Sequence, residues 1–515
     1  MTVRNVRRRL GLTQEGLASR LGVSCVTVNR WEAGKSKPKS RYRLQLIQLE
    51  QEQPIEWAEQ RAFRPIQYLG SKLRLLDHIE SAVMECSSSG RVVDLFSGSG
   101  VVANALSYRF DVTATDIQQY SCDLARALLL ANGPENDALV EWLHVLQESK
   151  QLRQHQELFR PLIELEEAAM ASAHGGDFDA LIRFTEMGSV TRYMHDNDDS
   201  GITIELRDAL SAVAANVKTA KRRGALAGQI ALLYGGAYFS YRQAVIIDVA
   251  NMQLRQLPSH APERTMLLGA LLSAASSVCN TVGKQFAQPM RLRKRDGSVK
   301  QLLLQRTLRD RSLCVLESIS HAIAKFQSAL PTVAREHEVI RADYRDFLDS
   351  YGGAPSCFYA DPPYTIDHYS RFYHVLETIA RGDTPQLDIV SRAGRSRLSN
   401  GLYRSDRHQS PFCIPSQVRQ AFRVLLEGVQ GFGAPLVLSY SPFTQESGRP
   451  RLLTLEELQQ LAEESFSDVS VRYIGDHRHR KLHWNTAPLG EDASAEALII
   501  CRQPKPGRPK GDARG

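Results

Sequence analysis

Short apolar runs and amphipathic stretches alternate along most of this 515-residue chain. Apolar runs that end at glycine, proline or an acid predict buried strands, and they lie at 92–95, 112–115, 338–341, 356–360 and 436–440. Two later runs, 469–473 and 497–501, are predicted to close the sheet as an antiparallel pair. Because helical stretches separate the first runs, the pattern favours an α/β fold.

Amphipathic periodicity predicts helices before and between these strands. Residues 3–53 show a compact helical pattern, and single helices are expected at 73–84 and 101–108. The long stretch between the second and third strands carries three more, near 159–172, 206–222 and 262–282, and a run at 239–249 that is predicted to be β-type. A stretch of that length needs structure of its own, because such long unstructured loops are rare inside compact domains.

The first strand runs into the sequence DLFSGSG, and the second strand ends at Asp116, 22 positions after Asp94. Strand, glycine turn, helix, strand and acid form the arrangement in which backbone N–H groups meet a ligand while the distal carboxylate takes ribose hydroxyls. The spacing of Phe96, Gly98 and Gly100 differs from the GxGxxG of dinucleotide enzymes. It predicts a site for an adenosine-type ligand without a pyrophosphate.

The run SCFYADPPY ends a strand abruptly, because neither Pro362 nor Pro363 can continue one. At the carboxyl end of a parallel strand such a turn presents its residues to a ligand. Asp361 and the Pro362 carbonyl are two acceptors, and Tyr364 is a ring that stacks on a heterocycle. Together they suit the exocyclic amine of a flipped base. The alternative is an ordinary turn at the end of a strand.

Two further loops carry candidate ligand contacts. In QYLGSK, Tyr68 precedes a glycine and serine that allow close approach of the backbone, and Lys72 can reach a carboxylate. Asp343, which follows the third strand, is placed to accept from an adenine amine. The alternative for the first loop is a helix start with a solvated lysine.

Near the N-terminus, the string TQEGLASRLGVSCVTVNRWEAGKSKP resembles the Cro/repressor-type helix-turn-helix domains. In that family the second helix enters the major groove. The resemblance therefore implies a DNA-binding domain at 1–53, with four base-facing or phosphate-facing positions: Cys25, Thr27, Asn29 and Arg30. The alternative is a helical hairpin that contacts proteins.

The order YLGSK, DLFSGSG, ATDIQ, ADPPY resembles the D12 class of adenine-N6 DNA methyltransferases, relatives of the Dam methylase, over residues 64–135 and 336–502. The resemblance implies a Rossmann-like α/β sheet that binds S-adenosylmethionine. It assigns cofactor contacts to Tyr68, Lys72, Asp116 and Asp361. The glycine motif adds Phe96, Gly98 and Gly100 as cofactor-binding residues, and the position of Asp343 after the third strand adds that carboxylate. Its catalytic motif supplies Asp361, Pro362 and Tyr364.

The same resemblance divides the chain after the helix-turn-helix domain. The methyltransferase domain takes 64–135 as its cofactor half and 336–503 as its catalytic half, and 136–335 is implied to be an inserted target-recognition domain. A basic stretch at the end of the insert suits DNA phosphates through Arg293, Lys294 and Arg295, although a solvated helix face remains the alternative. Residues 504–515 are predicted to form a basic, disordered tail.

Composition agrees with a soluble protein that acts on DNA. The chain is 43% hydrophobic and 23% charged, and its net charge of +7 permits a polyanionic partner. The eight cysteines contain no CxxC pair, so we predict buried thiols, no zinc or other metal site and no disulfide framework. The absence of a long apolar run predicts a cytoplasmic protein without a membrane partner.

These features predict transfer of a methyl group from S-adenosylmethionine to N6 of adenine in double-stranded DNA, with base flipping. A cytosine-C5 enzyme needs a nucleophilic thiol, usually after a proline, and none of the eight cysteines follows one. Two alternatives stay open: a cytosine-N4 methyltransferase, and a transcription regulator whose methyltransferase half is inactive. Further expectations are a role in restriction and modification with a cognate restriction enzyme, autoregulation by the front domain, and a homodimer formed through it.

Overall fold

The computed structural model describes Val3, 17–18, 21, 23–32, 35–36, 38, 42, 63–131, 134–196, 201–224, 229–331, 333–363, 368–392, 395–441, 452–474 and 496–506. The chain forms two compact units, Met1–Phe63 and Arg64–Gly515. None of the described helices is both long and apolar enough to cross a membrane.

In the first unit, helix α1 spans Cys25–Glu32 and matches the predicted second helix of the helix-turn-helix. The side chain of Ser24 caps its start, because the Oγ accepts the N–H of Thr27 at 3.3 Å. Val28 on this helix is fully buried against Leu17, Ala18 and Leu21. The helix is therefore fixed by one apolar face.

The second unit is built on a seven-stranded sheet in the order β3-β2-β1-β4-β7-β9-β8. Its strands are β1 Arg91–Asp94, β2 Asp111–Asp116, β3 Glu338–Arg341, β4 Cys357–Ala360, β7 Leu436–Tyr440, β8 Phe466–Ile474 and β9 Glu496–Pro504. Strands β5 Ile389–Arg392 and β6 Arg395–Leu398 pair with each other in a separate two-stranded sheet. The first five strands in the sheet order pair in parallel, and β9 pairs antiparallel with both β7 and β8. The predicted strands and the closing antiparallel pair are confirmed.

The parallel arrangement determines where a ligand can bind. β1 lies between β2 and β4, and the register pairs Asp94 with Tyr359. Asp116 at the end of β2 and Asp361 just after β4 therefore reach the same edge of the sheet. In open α/β sheets the crevice at the carboxyl ends, where the strand order reverses, is the usual ligand site.

Helices cover both faces of the sheet. They are α2 Leu76–Cys86, α3 Val101–Ser107, α4 Gln119–Leu129, α15 Tyr344–Ser350, α16 Tyr369–Arg381, α17 Val418–Gln430 and α18 Leu455–Ser465. β4 and β7 are buried along their whole length as a result. The predicted helix at 73–84 begins as a 3₁₀ turn, Lys72–Leu75, before α2 continues it.

Among the described residues between β2 and β3, all of the regular secondary structure is helical. Besides α4 this stretch contains α5 Asn136–Glu148, α6 Lys150–His174, α7 Asp179–Met187, α8 Val190–Asp196, α9 Ile204–Arg222, α10 Gln229–Tyr234, α11 Tyr241–Leu254, α12 Pro262–Val278, α13 Gln301–Ser312 and α14 Val315–Ala329. The three helices predicted here are confirmed within α6, α9 and α12.

The β-type interpretation of residues 239–249 is wrong, because α11 covers most of this run. Ser240 and Gln243 form a capping box that starts the helix. Val245, Ile247 and Val249 are all fully buried, so the helix is apolar on several sides. A helix buried all round lacks the amphipathic period that would have identified it from sequence.

This helical region packs directly on the helices that cover the seven-stranded sheet. A Cβ placed on Gly269 of α12 would lie 2.4 Å from the Cβ of Ala127 on α4. Only a glycine allows so close an approach of the two helices. The Nδ2 of Asn251 on α11 also donates to the carbonyl of Ile379 on α16 at 3.0 Å. The helical region therefore shares one compact unit with the sheet.

Candidate active site

A glycine turn links β1 to α3 and shapes the floor of the site. Gly98 and Gly100 have positive φ angles of 52° and 76°. A Cβ on Gly98 would lie 2.9 Å from the ring of Tyr68, and one on Gly100 would lie 2.9 Å from Cδ1 of Leu128. Both positions therefore need glycine for conformation and for space.

Asp116 closes this turn from the end of β2. Its Oδ2 accepts the N–H of Gly98 at 3.0 Å, and its Oδ1 accepts the N–H of Gln118 at 2.9 Å. Burial raises the pKa of the carboxyl, while the two backbone N–H groups lower it. A carboxylate has about four acceptor sites, so the side chain keeps capacity for hydroxyl groups in the cavity that it lines.

The cavity at this edge of the sheet has an empty volume of about 950 Å³, including the part open to solvent. Its wall combines the carboxylates of Asp116, Asp343 and Asp361 with aromatic rings and histidines; the remaining lining residues are Tyr68, Leu69, Gly70, Lys72, Leu95, Phe96, Ile117, Gln118, Tyr120, Ala342, Tyr344, Pro362, Pro363, His368, Tyr369, Ser370, His408, Ser410 and Cys413. Aromatic faces beside a few convergent polar groups are typical of a small-molecule site.

One end of the cavity contains a buried cluster of three charges. The Nζ of Lys72 lies 3.0 Å from Oδ1 of Asp361 and 3.4 Å from Oε1 of Glu496. The side chains of Lys72 and Glu496 are only 4% and 3% exposed, whereas that of Asp361 is 20% exposed. Asp361 is therefore the most exposed member of the cluster.

The surroundings make Asp361 an unusually basic carboxylate. Burial raises its pKa to about 6, Lys72 lowers it, and Glu496 raises it. Burial also raises the pKa of Asp94, at the end of β1, to about 8, and the charge of Asp361 adds to that rise. Strongly perturbed carboxyl groups in one crevice are typical of functional sites.

The loop that carries Tyr68 is held by α16. The Tyr373 hydroxyl accepts the N–H of Leu69 at 2.7 Å, and the rings of Tyr68 and Tyr373 stack with centroids 5.0 Å apart. α16 follows the Asp361 turn in the chain, so the loop and the turn are connected through this helix. Tyr373 lies 304 positions after Leu69 and 306 positions after Gln67, whose carbonyl oxygen accepts from its hydroxyl. Sequence spacing does not reveal a contact over such a distance.

The structure brings together most of the residues predicted from sequence. Tyr68, Lys72, Phe96, Asp116, Asp343, Asp361 and Pro362 line the cavity, and Gly98 and Gly100 form the turn beside it. Asp343 also caps α15, since its Oδ1 accepts the N–H of Arg345 at 3.0 Å. The prediction for Tyr364 falls outside the described residues.

Sequence reasoning missed Glu496 and His408. Glu496 begins β9, far from any motif, and only the antiparallel pairing of β9 with β7 brings it to the site. His408 lines the cavity; burial lowers its pKa, and Asp343 and Asp116 raise it. A lone polar residue at the start of a buried apolar strand was the available signal for Glu496.

The predicted DNA contacts lie in two places. Thr27, Asn29 and Arg30 are on α1, where Asn29 and Arg30 are exposed; the prediction for the Cys25 side chain falls outside the description. Lys294 and Arg295 are exposed in a tight turn. Arg293 in the same turn instead pairs with Asp179 at 2.6 Å, which reduces its availability to a phosphate.

The cysteines partly match the prediction of buried thiols. Seven of them are described as thiols without a disulfide bond: Cys122, Cys279, Cys357, Cys413 and Cys501 are buried, Cys86 is half-buried and Cys314 is exposed. Among the described residues no cluster of histidine, cysteine and carboxylate side chains is arranged to hold a metal ion.

Known proteins resemble separate parts of the chain. The family model for D12 class N6 adenine-specific DNA methyltransferase matches residues 68–188 and 319–404, and a helix-turn-helix model matches 3–42. "Modification methylase LlaI" of Lactococcus lactis subsp. lactis is 31% identical over 143 residues, which are 28% of this chain and 20% of the relative. The chain thus spans about a fifth of that relative, and no solved structure matches it. Residues 68–188 and 319–404 therefore match the D12 class N6 adenine-specific DNA methyltransferase family, and residues 3–42, which precede them, match a helix-turn-helix family.

Proposed function

We propose that this chain transfers a methyl group from S-adenosylmethionine to N6 of adenine in double-stranded DNA. The observation that carries the proposal is the position of Asp361 and Pro362 at the end of β4, in the same cavity as Asp116 and the glycine turn. The family match and the similarity to a modification methylase point to the same activity.

The residues present fit the cofactor. Asp116 keeps acceptor capacity for ribose hydroxyls, and the glycine turn leaves space that a Cβ at Gly98 would fill. Phe96 and Tyr344 place their rings 5.7 Å apart on the cavity wall, where they suit a purine. Asp343 lines the same wall and is proposed to accept from the adenine amine of the cofactor.

The chemistry that S-adenosylmethionine supplies when bound is an electrophilic methyl group on a sulfonium. The protein's part is to hold the amine of the target adenine. The Asp361 carboxylate and the Pro362 carbonyl accept the two N–H groups of that amine, which frees the nitrogen lone pair from the ring and directs it. Tyr364 is proposed to stack on the extruded base.

The surfaces that face DNA are proposed from charge and position. We infer that residues 136–335 recognise the target, with exposed Lys294 and Arg295 near phosphates. Arg293 is expected to contribute less, because it is paired with Asp179. α1 is proposed to read DNA separately, as part of a homodimer. A cognate restriction enzyme is the proposed partner of a modification role. A cytoplasmic location is proposed as well, because the proposed substrate is DNA.

Sequencing of methylated DNA tests the proposal directly. The full chain and its Asp361→Asn variant are expressed in a host that lacks adenine methylation, and genomic DNA is read by single-molecule sequencing. We expect N6-methyladenine in one sequence context with the wild-type chain and none with the variant. Methylation at cytosine N4 would instead support the second candidate chemistry. Absence of any methylated base, with soluble protein that binds the cofactor, would support the regulator alternative.

A further inference from the structure

The ammonium group of Lys72 has three N–H donors, and the structure gives an acceptor to each. They are Oδ1 of Asp361 at 3.0 Å, Oε1 of Glu496 at 3.4 Å and the carbonyl oxygen of Gly70 at 3.4 Å. A lysine with all three donors engaged and only 4% of its side chain exposed is held in one orientation. The position of this cation relative to Asp361 is therefore set partly by Glu496.

Glu496 reaches this position from the opposite end of the chain. It is the first residue of β9, which pairs antiparallel with β7, the strand next to β4. Its side chain is 3% exposed, so its charge is buried with that of Lys72. Burying a carboxylate costs free energy unless it is paired. Neutralising Lys72 alone would not need a second carboxylate, because Asp361 already lies 3.0 Å from the ammonium.

We propose that Glu496 is a positioning residue for methyl transfer. It holds the Lys72 ammonium against Asp361, and its negative charge keeps Asp361 a stronger acceptor for the target amine than it would be beside the lysine alone. This inference rests on the proposed function. Glu496 acts through Lys72 and Asp361 and is not assigned a contact with substrate.

The charged and titratable groups around Asp361 come from several elements. They are Lys72 from the 3₁₀ turn, Glu496 from β9, Asp94 from β1, Tyr359 from β4 and Tyr68 from its loop. The pKa values of Tyr359 and Tyr68 are raised by burial, so both stay neutral as Asp361 titrates. The pKa of Asp94 is raised to about 8, so this carboxyl group ionises in a pH range close to that of Asp361. A titration experiment must therefore distinguish the two carboxyl groups.

Two substitutions in the cluster move the ionisation of Asp361 in opposite directions. Glu496→Gln keeps the shape and removes a negative charge, so the pKa of Asp361 falls. Lys72→Met removes the positive charge, so the same pKa rises. Each change is expected to be about one pH unit or more, the size of the effect of a charge within 4–6 Å. A merely structural role for Glu496 predicts no movement of this pKa.

The experiment measures the ionisation of Asp361 with and without catalysis. The full chain is labelled with ¹³C at aspartate carboxyl carbons, and the Asp361 resonance is identified by its loss in Asp361→Asn, as that of Asp94 is by its loss in Asp94→Asn. The titration is then compared in the wild type, Glu496→Gln, Lys72→Met and Glu85→Gln. Glu85 is the matched control, because it pairs with Arg502 on the same strand β9 and Arg472 on β8.

The expected result is a downward shift in Glu496→Gln, an upward shift in Lys72→Met and no shift in Glu85→Gln. In single-turnover methylation, Glu496→Gln should lose about tenfold or more of its rate at saturating cofactor, and the acid limb of its pH profile should move with the NMR titration. Cofactor affinity should stay unchanged.

An unshifted Asp361 titration in folded Glu496→Gln would overturn the inference. So would an unchanged methylation rate, or a rate loss that arises wholly from weaker cofactor binding. If the glutamine variant does not fold, the Lys72→Met titration decides, because an unmoved Asp361 there contradicts the charge coupling. Failure of the proposed function gives a different result: the two variants would show the expected NMR shifts relative to the wild type, while the wild type methylates no DNA.

Discussion

Asp361 is a residue whose ionisation decides what it can bind. A carboxylate accepts hydrogen bonds at both oxygens, whereas the protonated acid also carries a donor that would face the target amine. Burial raises its pKa to about 6 against the effect of Lys72. The proposed step needs the ionised form, which is the minor form below that pH.

We therefore predict that methyl transfer falls as the pH drops below about 6, while DNA binding changes less. A group whose pKa is raised to about 6 becomes protonated around that value, so the loss is expected between about pH 7 and pH 5, roughly one unit on either side of the pKa. Single-turnover rates across this range check the prediction.

At a pH above this transition, where Asp361 is ionised in the wild type, Asp361→Ala should lose at least about a hundredfold in rate with DNA affinity retained. A variant that keeps more than a tenth of the wild-type rate contradicts the role of Asp361.

A second residue-scale prediction concerns Asp116. Asp116→Ala should weaken S-adenosylmethionine binding by about 1.5 to 3 kcal/mol for each hydroxyl contact that it loses. The physical reason is that the carboxylate is fixed by the N–H groups of Gly98 and Gln118 and lines the cavity. Isothermal titration calorimetry measures the change. Asp296→Ala, in an exposed turn, is the control that should bind normally, and equal affinity in both variants would remove Asp116 from the site.

At the scale of elements, the turn between β1 and α3 and the first turns of α16 both contact the loop that carries Tyr68. The glycine turn opens a cradle against Tyr68, and Tyr373 of α16 holds the loop that carries Tyr68. Neither element forms the cradle alone. The shape of the proposed cofactor pocket therefore depends on contacts between three segments that are distant in sequence: the glycine turn, the loop that carries Tyr68, and α16.

We predict that Gly98→Ala reduces cofactor affinity more than it reduces stability. The new Cβ would need a strained backbone, since φ is 52°, and would lie 2.9 Å from the Tyr68 ring, which must move into the pocket. Gly433→Ala is the matched control: φ is 66° and no atom lies within 4 Å of its added Cβ. Both variants should lose about 1 kcal/mol of stability from the backbone conformation. Thermal melting and calorimetry together test this, and similar cofactor affinities would show that the cradle is not where the ligand binds.

At the scale of the whole molecule, the question is why a chain with a large region beside its catalytic sheet also has a helix-turn-helix domain. Such domains usually act as dimers on two half-sites. The helical region between β2 and β3 is integrated with the sheet through α12 and α4. A separate role for residues 1–53 in transcription is therefore the simpler hypothesis.

Deletion of residues 1–53 is predicted to leave methylation in vitro unchanged and to abolish repression of a reporter that carries the upstream region of the gene. Asn29→Ala with Arg30→Ala should have the same effect with the domain retained, because these exposed side chains lie on α1. A collapse of methylation at native sites together with an indifferent reporter would show that the domain serves target binding instead.

The sequence by itself determined the elements whose signals are local. The strands ending at Asp94, Asp116 and Ala360 were predicted correctly because their short apolar runs stop at an acid, a glycine or a proline. The motif residues that line the cavity were predicted from the order of the four motifs along the chain.

Only the tertiary structure decided the features that depend on distant partners. α11 is a helix because it is buried on several sides, and that burial removes the polar face which periodicity needs. Arg293 is paired because Asp179 lies beside it. Glu496 enters the site because β9 folds back against β7, 424 positions after Lys72, and no local pattern encodes an ion pair across that distance.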